Sequence, residues 1–83
     1  MKTGIYKHYK NKLYEVICTG IHTETDERMV IYKALYNTPE LSKEYGNDFC
    51  FVRPESMFFE DVEVDGKIVP RFEYVGNKKY DEI

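Results

Sequence analysis

The chain is a succession of short alternating runs broken by turn residues, with almost no helical periodicity. Gly4 to Lys10 sets Ile5, Lys7 and Tyr9 on one face and Tyr6, His8 and Lys10 on the other. Lys10-Asn11-Lys12 reads as a tight turn, since Asn accepts a left-handed backbone. Leu13 to Thr19, rich in branched and aromatic side chains, reads as the returning strand of a hairpin. Gly20 to Glu27 is a polar turn, and Arg28 to Tyr36 follows as the third and longest strand. The two faces of that strand, Val30-Tyr32-Ala34-Tyr36 and Met29-Ile31-Lys33-Leu35, are both largely apolar. That predicts a central position with little left to solvent, and leaves open which face is the core.

Asn37 to Asp48 is the one long loop, in which Thr38 is placed to cap a short helical turn starting at Pro39. Phe49 to Arg53 reads as a fourth strand, Pro54 to Phe58 as a single helical turn with Pro at its first position, and Phe59 to Val64 as a fifth strand. Asp65-Gly66 is the strongest hairpin signal, because a type I′ turn needs positive φ at both positions. Lys67 to Val75 is the sixth strand, and Pro70 inside it implies an edge or a bulge, since Pro cannot donate to the ladder. Five to six short strands with one short helical turn predict an all-β fold, a small antiparallel barrel or a strongly bent sheet. One domain is expected over residues 1–75, with a polar tail over 76–83.

Composition sharpens this picture. An 83-residue chain makes a single domain, and one of that size buries only about 60–65% of its unfolded surface. The 8 Tyr and 5 Phe fill the thin core efficiently. A hydrophobic content of 42% and an aromatic content of 16% argue against disorder despite 33% charged residues. The net charge of -3 hides an asymmetry: Lys2, Lys7, Lys10 and Lys12 stand before residue 13 with no acid among them. The whole chain is therefore no polyanion binder by charge, but a local basic patch near the N-terminus is retained as a candidate. Cys18 and Cys50 lie in strand-like runs, no leader-like apolar segment opens the chain, and no apolar run approaches ~18 residues. A cytoplasmic protein with reduced, mostly buried thiols and no membrane partner is expected.

The densest chemistry is His22-Thr23-Glu24-Thr25-Asp26-Glu27. His22 oriented by Glu24 is half of a nucleophilic triad, but its nucleophile would have to be Thr23, Thr25 or Cys18, none with an activating context. The competing reading is a turn that bonds its own amides, with His22 and Glu24 solvated or meeting Arg53 or Arg71. Cys18-x-x-x-His22, with His8 and Cys50 elsewhere, supplies only one closely spaced pair of soft ligands, so no metal site and no cofactor is expected. In Arg53-Pro54-x-x-Met57-Phe58 the arginine is suited to grip a carboxylate or phosphate, or else to bond loop carbonyls while Met57 and Phe58 plug a barrel end. Lys7, His8, Tyr9, Lys10 and Lys12 interleave cations and rings in the manner of single-strand nucleic-acid binders. Tyr6, Tyr9, Tyr14, Tyr32 and Tyr36 serve chiefly as core, with one or two of them suited to line a groove.

Five segments in order carry a resemblance: Gly4-x-Tyr6-x-His8-Tyr9-Lys10-x-Lys12-x-Tyr14-x-Val16, His22-Thr23-Glu24-Thr25-x-Glu27, Val30-x-Tyr32-x-x-Leu35-Tyr36, Val52-Arg53-Pro54-x-x-Met57-Phe58 and Pro70-Arg71-Phe72. Together they resemble the bacterial family called domain of unknown function 1653, from about Gly4 to Phe72. The resemblance implies a small SH3-like barrel and no activity, because the family has no established one. It departs where Asn11 replaces a usual Gly and Thr23 a usual Ser, and the loop from Asn37 to Asp48 looks individual to this chain.

The leading expectation is a non-catalytic binding module for an unknown protein, peptide or small-molecule ligand. Its candidate ligand-facing residues are Tyr9, His22, Glu24, Tyr32, Arg53, Phe58 and Arg71. A nucleic-acid-binding barrel acting through Lys7 to Lys12 is the alternative, and a small hydrolase or transferase using His22 and Glu24 the third reading. A homodimer is compatible with so aromatic a small barrel, with no interface located.

Overall fold

The first turn closes where Asn11 takes a φ of 68°, and Asp65 and Gly66 take φ values of 52° and 80° in the second tight hairpin. Both are the positive values that Asn, Asp and Gly tolerate and branched residues do not. The computed structural model describes residues 2–77. The elements run β1 (Gly4–His8), β2 (Leu13–Ile21), β3 (Arg28–Ala34), α1 (Pro39–Tyr45), β4 (Phe51–Pro54), α2 (Glu55–Phe58), β5 (Asp61–Val64), β6 (Lys67–Pro70) and β7 (Phe72–Gly76). One sheet has the order β4-β3-β2-β1-β7, and β5 and β6 form a separate two-stranded ribbon. All pairs are antiparallel. The class is all-β, as the alternation predicts, and the hydrogen-bonded ladders do not close into a complete barrel among the described residues.

The differences from expectation have local causes. β3 is central, between β2 and β4, but β2 is the longest strand, with 9 residues against 7. Gly20 and Ile21 stay in the ladder opposite Met29 and Arg28, so the polar turn begins only at His22. The expected sixth strand breaks at Arg71. Pro70 has no N–H to extend the ribbon, and it ends β6. The Arg71 amide donates to the Glu60 carbonyl at 3.0 Å, and the Arg71 carbonyl accepts from the Tyr9 amide at 3.0 Å, so the chain crosses from ribbon to sheet at this residue. Seven strands and two short helices result, where five to six strands and one short helical turn are expected. Thr38 makes no side-chain cap; its carbonyl accepts the Ser42 amide at 2.9 Å. Residues 78–83, most of the expected tail, lie outside the described residues.

The core lies on one side of the sheet. Tyr6, Val16, Val30, Tyr32, Phe58 and Phe72 are buried together, with Tyr14, Phe51 and Tyr74 packed against them. Val30 and Tyr32 thus identify the inner face of β3. The ladder register shifts between Val16, opposite Tyr32, and Cys18, opposite Ile31. This bulge adds one residue at Ile17 and reverses the phase, so Cys18 leaves the core side that Val16 occupies. Cys50 precedes β4. Both thiols are free and exposed, which corrects the expectation of buried cysteines. No helix among the described residues is long and apolar enough to cross a membrane.

Candidate functional site

The ring of Phe72 is the hub around which the polar groups gather. β7 pairs with β1 so that Phe72 faces His8 in register, their rings 4.9 Å apart and edge-on. Tyr14 and Tyr32 each meet Phe72 with centroids 5.6 Å apart, and the Arg53 guanidinium lies 5.9 Å from the same ring. Arg53 reaches this point because β4 pairs with β3 in a register that sets it opposite Val30, on the inner face. It is half-buried, and its Nε donates to the Tyr32 hydroxyl at 3.2 Å. Its two terminal nitrogens have no hydrogen bond or ion pair among the described residues.

The neighbouring groups are held in defined protonation states. Burial, then the charges of Arg53, Arg71 and Lys10, push the His8 imidazole below its ordinary value. Its Nδ1 accepts the Lys10 amide at 3.1 Å, which leaves Nε2 as the ring's other polar atom. The Tyr14 and Tyr36 hydroxyls share a hydrogen bond at 2.6 Å. Burial, followed by that hydrogen bond, pushes the Tyr14 phenol well above its ordinary value. Tyr14 and His8 are therefore a neutral donor and a neutral imidazole at neutral pH. Arg71 donates from Nη2 to Glu60 at 3.0 Å, so its charge is offset, while its Nε is buried without a partner. Lys10 stands over Tyr9 at 5.9 Å and Lys12 over Tyr36 at 5.0 Å. Cations against aromatic faces stand near the unpaired end of the Arg53 guanidinium, a setting that favours an anion with an apolar body.

These protonation states predict a pH dependence. The Tyr14 and Tyr6 phenols are both raised in the fold, Tyr6 by burial and then by Tyr74, from an ordinary 10.0. A raised phenol contributes stability that is fully present below that unfolded value and is lost as the pH climbs past it towards the folded value. The melting temperature is expected to fall as pH rises above 10, with absorbance at the phenolate band showing two late-titrating tyrosines. Tyr36→Phe should move the later of them down. An unchanged titration in that variant would remove the hydrogen bond from the account.

Of the expected ligand-facing residues, the structure brings Tyr9, Tyr32, Arg53 and Arg71 around His8 and Phe72. Phe58 is fully buried and stacks on Phe72 at 4.1 Å, so it forms the floor and touches no ligand. His22 and Glu24 are held elsewhere. The ladder continues to Ile21 opposite Arg28 before the turn starts, beyond the rung of Val30 and Arg53. The turn satisfies itself: His22 donates from its amide to the Glu27 carbonyl at 2.8 Å, and its Nδ1 accepts the Glu24 amide at 3.2 Å. The Asp26 amide donates to the His22 carbonyl at 2.7 Å, and Thr25 Oγ1 accepts the Glu27 amide. Neither His22 nor Glu24 pairs with Arg53 or Arg71; the partners are Tyr32 and Glu60 instead. His8, Tyr14, Tyr36 and Phe72 are the site residues that the sequence did not single out as ligand-facing in the leading reading. The signal for Tyr14 was its phase with Val16, two positions along one strand.

The lysines of the alternative border a second surface. A groove of ≈ 560 Å³ runs between the β1–β2 turn and the ribbon, lined among others by Lys7, His8, Tyr9, Lys67, Asp65 and Glu73. Its charges alternate in sign. Among the described residues no group of three or more His, Cys, Asp and Glu could hold a metal ion.

Comparison with known proteins agrees with this architecture. The model of a family described as a protein of unknown function, DUF1653, matches residues 4–74. A crystal structure of a protein belonging to DUF1653 from Bordetella bronchiseptica is similar, with a TM-score of 0.79 and 29% identity, over 95% of this chain and 92% of that one. No curated protein matches the chain.

Proposed function

The chain belongs to the family of unknown function DUF1653, and since membership assigns no activity, we propose from its geometry that it is a non-catalytic binding module. Its ligand meets the half-buried Arg53 at the surface, with His8, Tyr14 and Tyr36 beside it. One observation carries the reading: Arg53 is half-buried and held by Tyr32 and Phe72, yet its terminal nitrogens have no partner among the described residues. Those nitrogens stay within reach of solvent while Nε and the ring contact fix their direction, so an anion arriving from outside meets a preset fork. Tyr14 held protonated, and His8 with Nδ1 spent on an amide, act here as hydrogen-bonding groups.

The test is ligand-induced stabilisation. The protein is melted in the presence of acidic peptides, oligonucleotides and small organic acids. A ligand at a hundredfold its dissociation constant adds about 2.7 kcal/mol, on the order of 10–20 °C for a domain of this size. At least one class is expected to raise the melting temperature in the parent and not in Arg53→Lys. The absence of any shift, or equal shifts in both proteins, rejects the reading. An oligonucleotide effect that survives Arg53→Lys but falls steeply with salt assigns binding to the groove beside Lys7 and Tyr9 instead.

A further inference from the structure

The class of ligand can be narrowed, on the basis of the binding reading above. We propose that Arg53 takes a carboxylate end-on, through its two terminal nitrogens, with the body of the ligand against the rings of Tyr14 and Tyr36.

The geometry of the guanidinium selects the mode of contact. A guanidinium offers a side edge, made of Nε and one terminal nitrogen, and an end edge, made of both terminal nitrogens. Tyr32 occupies Nε at 3.2 Å, so the side edge is closed and the end edge remains. Two parallel N–H groups at that edge match the two oxygens of a planar acid.

The charge of the site selects the acid. Arg71 is offset by Glu60 at 3.0 Å, and His8 is held towards its neutral form by burial and by the surrounding cations. Arg53 is then the guanidinium left without a carboxylate there, with Lys10 and Lys12 against the rings of Tyr9 and Tyr36. A carboxylate brings one negative charge and lies flat in the plane of the fork. The surroundings select the rest of the ligand. Phe72 gathers Arg53, His8 and Tyr14 from below, and the half-buried Tyr14 with the exposed Tyr36 hydrogen-bonded to it is the aromatic surface that a carbon skeleton attached to the acid can meet.

The experiment titrates acetate and, separately, inorganic phosphate into the ¹⁵N-labelled protein, reading the Arg53 Nε–H signal and the His8 ring nitrogens. Acetate is expected to shift both saturably, and to move the His8 titration midpoint upward, because a bound anion offsets the Arg53 charge that depresses it. Arg53→Lys keeps the charge but loses the fork, and should weaken acetate about tenfold, the value of one charge-assisted hydrogen bond. The parent titration needs no variant, so a poorly folded Arg53→Lys does not prevent the test. Two further probes separate sources of the carboxylate: N-acetylglycine for a chain terminus, and a blocked peptide with one internal Glu for a side chain. Tighter binding of phosphate than of acetate overturns the proposal, as does acetate binding that leaves the Arg53 and His8 signals unmoved. If neither anion binds while the melting panel still gives an Arg53-dependent shift, the carboxylate assignment fails and the binding module stands. If both fail, the site itself is rejected.

Discussion

Phe58→Ala should cost about 3–5 kcal/mol and lower the melting temperature by about 15–30 °C. Phe58 is 0% exposed, although it lies in a helix of only 4 residues. Its ring is parallel to that of Phe72 at 4.1 Å and meets Tyr6 and Tyr32 edge-on at 5.3 Å and 5.4 Å. Truncation removes the floor from three strands at once, because Tyr6, Tyr32 and Phe72 belong to β1, β3 and β7. A four-residue helix has no length with which to collapse into the cavity, so the cost lies towards the upper end of the range. A chain of 83 residues has a total stability of only about 4–12 kcal/mol, and the variant is expected to be partly unfolded at ambient temperature. Met57→Ala, one residue away and 44% exposed, should cost under about 1 kcal/mol. Urea titrations of both variants measure the difference. Comparable losses in the two would show that α2 is a surface turn and not the closure of the core.

The importance of Phe58 was half visible in the sequence. Pro54 announces the helical turn, and an aromatic at its end suits a plug, but alternation ranks no aromatic above another. What distinguishes Phe58 is the pairing of β7 with β1, a contact between the two ends of the described chain that brings Phe72 beneath it. The same long-range pairing explains why His8 was read as part of a basic hairpin and not as the neighbour of Arg53. Local signals were reliable where the backbone itself is special. Asn11, Asp65 and Gly66 all take the positive φ that their turns require. Cys18 failed for the complementary reason: a bulge of one residue reverses every side chain beyond it, and no residue type marks Ile17 as extra. The polar turn at His22 drew attention through its composition, but composition does not show where a hydrogen bond ends. Its imidazole is spent on the amide of Glu24, two residues away. Arg53 was legible as a gripping residue from its type and its Pro54 neighbour. Its freedom from Glu24 became visible only once the β2–β3 ladder was seen to end at Ile21 opposite Arg28.

Gly4→Ala is expected to be the most damaging change among the glycines, and the cause is backbone on backbone. Gly4 has a φ of +128°, and a Cβ placed there would lie 2.6 Å from the Gly76 carbonyl oxygen and 2.9 Å from the Asn77 Cα. No rotamer relieves either contact. Gly66, with φ of +80° and nothing within 4 Å of its would-be Cβ, separates the two contributions. Gly66→Ala should show only the conformational strain of an L residue at positive φ, about 1–2 kcal/mol. Gly4→Ala adds to a similar strain the displacement of β7 from β1, and a total of about 3 kcal/mol or more follows. Because β1 carries His8 and β7 carries Phe72, that displacement also opens the Arg53 site from its far side. Amide hydrogen exchange provides the spatial reading: protection should fall along the β1–β7 ladder in Gly4→Ala while the β2–β3 ladder keeps most of its own. Equal losses in the two glycine variants would mean that the close approach at Gly76 relaxes without cost. A uniform loss of protection would mean that β7 is part of the cooperative core, and not a strand whose docking completes the site.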